Sequence, residues 1–341
     1  MMNNRESLCF DDVLMVPQFS DIVSRKRIDI GNTLSDIEFS LPIISAPMDT
    51  VTESAMVSIM EKHGGLGIIH RYNTIDEQVK MVYKSKNSAT KNIGAAIGVT
   101  NDFIDRATAL YDAGVKIVCV DVAHGHHAMM RHALEVLRNT FGTTVHIIAG
   151  NVATLKGFND LADWGADSIR VGIGGGSICS TRIQTGHGVP TLQSVIECSQ
   201  SDRDAKIIAD GGIKSSGDIV KALAAGADFV IIGSLLSGTT QSPGEVFYRA
   251  GEKFKSYRGM ASAEAQKDWR GAASSLEGIS AVVPFKGHAG TILNELKRGI
   301  RSGLSYTGAR NLLELRTKAQ FIKQTSASQV EGTTHINARY K

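Results

Sequence analysis

The side chain best placed for nucleophilic chemistry is Cys179. It lies in "GIGGGSICSTR", Gly172–Arg182, behind four glycines and two positions ahead of Thr181. A thiol is the most nucleophilic side chain available at neutral pH, and glycines let a backbone turn sharply and approach a ligand closely. The competing reading is a flexible loop that holds a small apolar residue. The other three cysteines have structural readings: Cys119 lies within an apolar run, and Cys9 and Cys198 adjoin apolar neighbours. No C-x-x-C spacing occurs, so neither a zinc site nor a disulfide framework is expected, and the thiols read as free in a reducing compartment. His124, His126 and His127 form a cluster, but no carboxylate or cysteine stands at ligand spacing from them. Asp11 and Asp12 read as capping or arm-packing residues.

The chemistry needs a scaffold, and the sequence repeats one. Eight short apolar runs recur: "LPIISAP", "GLGIIH", "NIGAAIGV", "KIVCVDVA", "VHIIAGNV", "SIRVGIGGG", "AKIIADGG" and "FVIIGSLL". Each is continuously apolar, as parallel strands covered on both faces should be. Segments with apolar residues at three-to-four spacing lie between them, for example "FIDRATALYDAGV" and "SGDIVKALAAGAD", the latter with Gly226 as a C-cap. This predicts a (β/α)8 TIM barrel; a doubly wound open sheet is the rival. Barrel chemistry gathers at the C-terminal strand ends. Those ends carry Ser45–Asp49, Asp121–His126, Asn151, the cysteine loop, Asp210–Gly212, Gly233 and Ser234. Glycine-rich turns after strands seven and eight usually cradle a phosphate with backbone N–H groups. The cysteine loop therefore faces an expected phosphate site, which favours a catalytic Cys179.

The 341 residues are 42% hydrophobic and 21% charged, ordinary for a globular protein with a real core. The net charge of +3 is interspersed and leaves no electrostatic footprint for nucleic acid. The longest apolar runs are too short to span a bilayer, and "MMNNRESLCFDD" has no apolar signal region. A cytoplasmic location is the resulting expectation.

"FDDVLMVPQFS", "SAPMDTVTE", "AGNVAT", "GIGGGSICSTR", "ADGGI" and "YRGM" occur in one order along nearly the whole chain. Together they resemble the landmarks of the IMP dehydrogenase and GMP reductase family; the cysteine-loop motif is the specific one, and "ADGGI" alone is weak. The resemblance implies a purine nucleotide attacked at C2 by Cys179, with hydride exchanged between that carbon and a nicotinamide, NADPH or NAD. It assigns the ribose hydroxyls to Asp210 and the phosphate to Ser177, Gly212, Gly233, Ser234 and Tyr257. Ser45, Met48, Gly211, Gly259, Met260 and Gly278 would complete the nucleotide site, Met260 and its neighbours meeting the purine. Asp121, His124, Asn151, Gly174, Ser302 and Ser305 would serve the cofactor. A potassium ion would take carbonyls of Gly174, Gly176 and Cys179 with the tail residues Glu331 and Gly332 across a subunit contact. A homotetramer is implied in the same way.

The same resemblance organises the chain as one catalytic barrel, with an arm over residues 1–40, a flap over 255–290 and a tail over 325–341. "GIIHRYNTIDEQ" runs through one helical stretch to "NIGAAIGV", which leaves no room for the CBS modules of many IMP dehydrogenases. "SAPMDTVTE", "HGH" at 124–126, "ELRTKAQF" and "QVEGTTHI" resemble dehydrogenases, whereas "DVA" at 121–123 and "SYTGA" at 305–309 lean towards reductases. Gly175 stands where a proline is common, and Arg170 where a lysine is usual. The flap weighs most. Dehydrogenases of the family activate water with an Arg-Tyr pair, but here Arg270 is followed by glycine. Family reductases protonate a leaving amine with a glutamate and the loop threonine, which map to Glu277 and Thr181, although dehydrogenases also carry "EG" near this position. Trp269 and Arg270 read as a surface flap that closes on the ligand. GMP reductase is therefore the expected activity. An IMP dehydrogenase without CBS modules is the closest alternative, and a nucleotide-binding protein without turnover a remote one.

Overall fold

In the computed structural model, which describes residues 6–273 and 276–334, all eight apolar runs form parallel strands that close into a barrel. They are β1 (Ile43–Ser45), β2 (Leu66–Ile69), β3 (Ile93–Ile97), β4 (Ile117–Asp121), β5 (His146–Val152), β6 (Ser168–Val171), β7 (Lys206–Asp210) and β8 (Phe229–Ile232). Each pairs with its neighbours in chain order, and β8 returns to β1 through Ile232 beside Ser45. The TIM-barrel expectation holds, and the open-sheet alternative falls because β8 and β1 are hydrogen-bonded.

The pleat explains why the strands read as unbroken apolar runs. In β4, Ile117 and Cys119 join the cluster inside the barrel, while Val118 and Val120 join the layer between strands and helices. Both faces are dry, so both need apolar side chains. The barrel's N-terminal mouth is closed by a hairpin, Asn32–Leu34 with Ile37–Phe39, whose Phe39 meets Phe229 edge-on at 5.8 Å. The helices between strands begin at ordinary caps. Thr74 and Glu77 form a capping box before Ile75–Asn87, and Ser215 accepts from the N–H of Asp218.

Two additions frame the C-terminal mouth. After β8 come three antiparallel strands, β9 (Phe247–Arg249), β10 (Glu252–Arg258) and β11 (Ser280–Pro284), with the helix Ala263–Arg270 between the last two. Gly271, at φ +74°, ends that helix in the left-handed region that glycine favours. At the other edge, strand Val13–Met15 pairs with Phe321–Lys323. Asp12 accepts the N–H of Cys9 at 2.7 Å and Asp11 pairs with Lys214 at 2.5 Å, so the two acids cap and pack the arm. The first five residues of the arm, residues 274–275 of the flap and 335–341 of the tail lie outside the described residues. Among the described residues, no helix is long and apolar enough to cross a membrane.

Candidate active site

The glycines after β6 fold the cysteine loop back over β7. Gly172 takes φ +143°, and a Cβ there would lie 2.0 Å from the carbonyl oxygen of Asp210. Only glycine permits that approach. The far end of the loop is paired with the flap's return segment. The N–H of Ser180 donates to the carbonyl of Glu277 at 3.0 Å, that of Ile279 donates to Ile178 at 3.0 Å, and Ser180 Oγ donates to Leu276 at 2.8 Å. This pairing sets Glu277 beside Thr181. The Cys179 thiol donates to Thr181 Oγ1 at 3.1 Å, and that hydroxyl donates to Glu277 Oε2 at 3.1 Å. Thiol, hydroxyl and carboxylate thus form a continuous path for one proton.

The other thiols are disabled. Burial pushes Cys119 and Cys198 up to about 12, and burial together with the Asp12 carboxylate raises Cys9. Cys179 instead lines a cavity of about 290 Å³ at the C-terminal mouth, with Met48, Asp121, Asn151, Gly174, Gly176, Thr181, Asp210, Gly211, Tyr257, Gly259, Met260 and Glu277.

Its floor is a buried charge cluster. Arg170 bonds Asp121 with one guanidinium nitrogen and Asp210 with two others, at 3.0 and 2.8 Å. Asn151 Nδ2 donates to the same Asp210 oxygen at 2.8 Å. Burial opposes the guanidinium charge, but Asp210 and Asp121 more than offset it and keep Arg170 well above the ordinary arginine range. Replacing Arg170 with Met should leave Asp121 with only Arg71, 3.6 Å away, and Asp210 with only the Asn151 amide, and cost up to about 3 kcal/mol of stability, read from the urea midpoint. Lysine at this position should restore part of the loss; an unchanged midpoint for Arg170→Met would show that the acids do not rely on the guanidinium.

Tyr257 lines the cavity, while the other expected phosphate residues, Ser177, Gly212, Gly233 and Ser234, lie outside its lining. Ser177 Oγ and Tyr257 Oη are 3.5 Å apart, and a Cβ on Gly233 would be 3.2 Å from Tyr257 Oη. Burial raises the Tyr257 phenol, so it stays a donor. Among the described residues no acceptor meets the N–H groups of Ser177, Gly212, Gly233 or Ser234. Such free N–H groups on glycine turns suit a phosphate. Beside the cavity, Met260 Sδ accepts from the N–H of Asp49 at 3.4 Å, and Asp49 pairs with Arg258 at 2.7 Å, tying the loop after β1 to the flap.

Other expected residues lie elsewhere. Ser45 is fully buried, its Oγ accepting from Thr52 at 2.9 Å, and Ala46–Met48 line the cavity in its place. His124 is exposed outside the lining, and His126 bonds Asp160 at 2.6 Å. Ser302 and Ser305 sit on the long helix Ala289–Thr307, where Ser305 Oγ donates to the carbonyl of Ser302. Glu331 ends a helix that packs on the Phe10–Asp12 turn, with Gly332 as its C-cap; among the described residues no hydrogen bond joins either to the cysteine loop. Gly278 pairs its backbone with Cys179.

Two lining residues escaped the sequence reading, Arg71 and Tyr72. Their signal was position: "HRY" follows directly on β2, at an active strand end. Tyr72 stacks on Trp269 at 6.0 Å, Arg71 lies over the Tyr72 ring, and Arg71, Trp269 and Arg270 line an adjoining cavity of about 440 Å³.

Comparison with known proteins agrees with this architecture. A profile of the IMP dehydrogenase / GMP reductase domain matches residues 7–335. An inosine-5′-monophosphate dehydrogenase of Nitrosopumilus maritimus is 34% identical over 98% of this chain and 99% of its own. A GMP reductase of Leishmania major is 31% identical over 97% of each. Among solved structures, a GMP reductase variant from Trypanosoma brucei in complex with guanosine 5′-monophosphate superposes with a TM-score of 0.91, at 28% identity and over 98% of both chains. Profile, relatives and fold converge, and the chain belongs to the IMP dehydrogenase / GMP reductase family of oxidoreductases.

Proposed function

We propose that the protein is a GMP reductase, converting GMP and NADPH to IMP, ammonia and NADP. The observation that carries this reading is the unbroken path from Cys179 through Thr181 to Glu277, in a flap where Arg270 is followed by glycine and lines the adjoining cavity. Asp210 would hold the ribose, and Ser177, Gly212, Gly233, Ser234 and Tyr257 the phosphate. The thiol proton moves to Thr181 as the Thr181 proton moves to Glu277, which frees the thiolate to bond the purine C2. The relay then runs in reverse, and its proton leaves with the amine as the C2–N bond breaks. Cys179 finally departs as thiolate when C2 carries hydrogen, and a proton taken from solvent restores the thiol, which balances the overall reaction.

The site also fits a nicotinamide dinucleotide. Arg71 Nε is buried without a hydrogen-bond partner among the described residues, and Arg71 stands between the two cavities. The Asp121 carboxylate lies 3.6 Å from that nitrogen, beyond hydrogen-bond reach, so the guanidinium keeps donors for an anionic ligand. Asp121, Asn151, Arg71 and Tyr72 would hold that group, which when bound supplies the hydride. Potassium fits one chain incompletely. The loop carbonyls of Gly174 and Cys179 accept no hydrogen bond among the described residues, while that of Gly176 accepts from Cys179; Glu331 and Gly332 would have to come from another subunit. A cytoplasmic homotetramer remains part of the proposal.

A second reading, an IMP dehydrogenase using NAD and water, is favoured by the names of the more identical curated relatives. Absorbance at the nicotinamide band separates them. GMP with NADPH should be consumed with release of ammonia, while IMP with NAD should give no steady turnover. Sustained XMP formation without ammonia from GMP would overturn the reductase.

A further inference from the structure

Two lysines that no catalytic step uses hold the turn after β8 from its far side. Lys255, on β10, is 2% exposed, and its ammonium donates to the carbonyls of Thr239 at 3.1 Å and Ser242 at 2.5 Å. Lys286, just beyond β11, donates to the carbonyl of Ser234 at 2.5 Å. Among the described residues neither ammonium has a carboxylate within ion-pair distance, and burial pushes Lys255 below the usual lysine range. The nearby hydroxyls offer no counter-charge, since Ser237, Thr239 and Ser242 are neutral and already donate to backbone carbonyls. Burying an ammonium without a negative partner is costly. Its retention calls for a charge that completes the site.

The turn itself points to that charge. Its carbonyls at Ser234, Thr239 and Ser242 meet the lysines, while the N–H groups of Gly233 and Ser234 meet no acceptor among the described residues. A cation at the carbonyl ends of aligned peptide units strengthens the positive potential at their N–H ends. The strand geometry adds a link. Lys255 and Tyr257 are two apart on β10 and both buried, so they share a face; Tyr257 reaches Ser177 and Gly233.

We infer that Lys255, seconded by Lys286, is a positioning residue for the nucleotide's phosphate: it fixes the turn whose N–H groups bind the dianion and lends them positive potential through the peptide units. The inference rests on the purine-nucleotide reading above but not on the direction of the reaction. It also makes the base of the flap and the phosphate cradle one structure.

The test is calorimetric titration of GMP and IMP, and of guanosine and inosine, into the full-length protein. Lys255→Met should weaken both nucleotides by roughly tenfold or more while leaving the nucleosides unchanged, and Lys255→Arg should recover most of the loss. Lys286→Met, at the surface, should show a smaller change in the same sense, and it carries the test alone if Lys255→Met does not fold. Nucleotide and nucleoside affinities falling together would mark a merely structural lysine and overturn the inference, as would unchanged nucleotide affinity in a folded variant. Wild-type protein that binds neither nucleotide would remove the reading on which the inference stands.

Discussion

Cys179→Ala should lower turnover by roughly 10⁴-fold or more while GMP binds within a few-fold of its wild-type affinity. The groups proposed to hold the nucleotide, Asp210, Tyr257 and the N–H groups of the glycine turns, are separate from the sulfur, so its removal leaves them in place. Nothing else in the chain can replace the thiol. Cys119 and Cys198 are held protonated by burial, and Cys9 lies on the N-terminal arm with its pKa also raised. Serine should not rescue, because a hydroxyl is a far weaker nucleophile at neutral pH. Initial rates at the nicotinamide band, with calorimetric titration of GMP, check both halves. An alanine variant retaining more than a few per cent of the rate would end the covalent mechanism.

The strands and the nucleophile were legible because one local rule accounts for each. Strands buried on both faces must be continuously apolar, and a thiol in a loop that only glycine can form stands out from thiols in apolar runs. Period two, applied more strictly, would have found more. Ile43 joins the outer layer and Ile44 the barrel interior, so Ser45 points outward again, to Thr52, and not to the cavity. The same count turns Arg170 inward, since Ile169 and Val171 both face the helices. The sequence reading noted Arg170 only as a departure from a lysine, whereas its place between Asp121 and Asp210 makes it the floor of the site. Tyr72 against Trp269 and Asp49 against Arg258 were not legible, because each joins a barrel loop to a flap helix or strand far away in the chain. Ser302, Ser305, Glu331 and Gly332 belong to another class: their assigned roles came from resemblance, and one chain does not bring them to the cavity.

Glu277→Gln should slow ammonia release from GMP by about 10²–10⁴-fold, the usual contribution of a positioned acid–base group, with little change in GMP affinity. Glutamine keeps the shape and can still accept from Thr181, but it neither takes the thiol proton nor returns one to the amine. The position of Glu277 is fixed by the flap backbone, where Ser180 and Ile279 hold the return segment to the cysteine loop. The variant should therefore fold with its site intact, and the loss should fall on kcat. Thr181→Val should act in the same direction, since it cuts the path at its middle, whereas Thr181→Ser should keep it. Hydrolysis at C2 makes a different demand, a base beside water on the purine. Arg270, the flap residue that dehydrogenase resemblance would point to, lies in the adjoining cavity with Arg71 and Trp269. IMP with NAD should accordingly stop at a covalent adduct, seen by mass spectrometry as nucleotide retained on Cys179. If Glu277→Gln releases ammonia at the wild-type rate, the proton comes from elsewhere. If it instead blocks steady XMP production, the same relay serves water, the dehydrogenase is the right reading, and Arg270 is the next base to test.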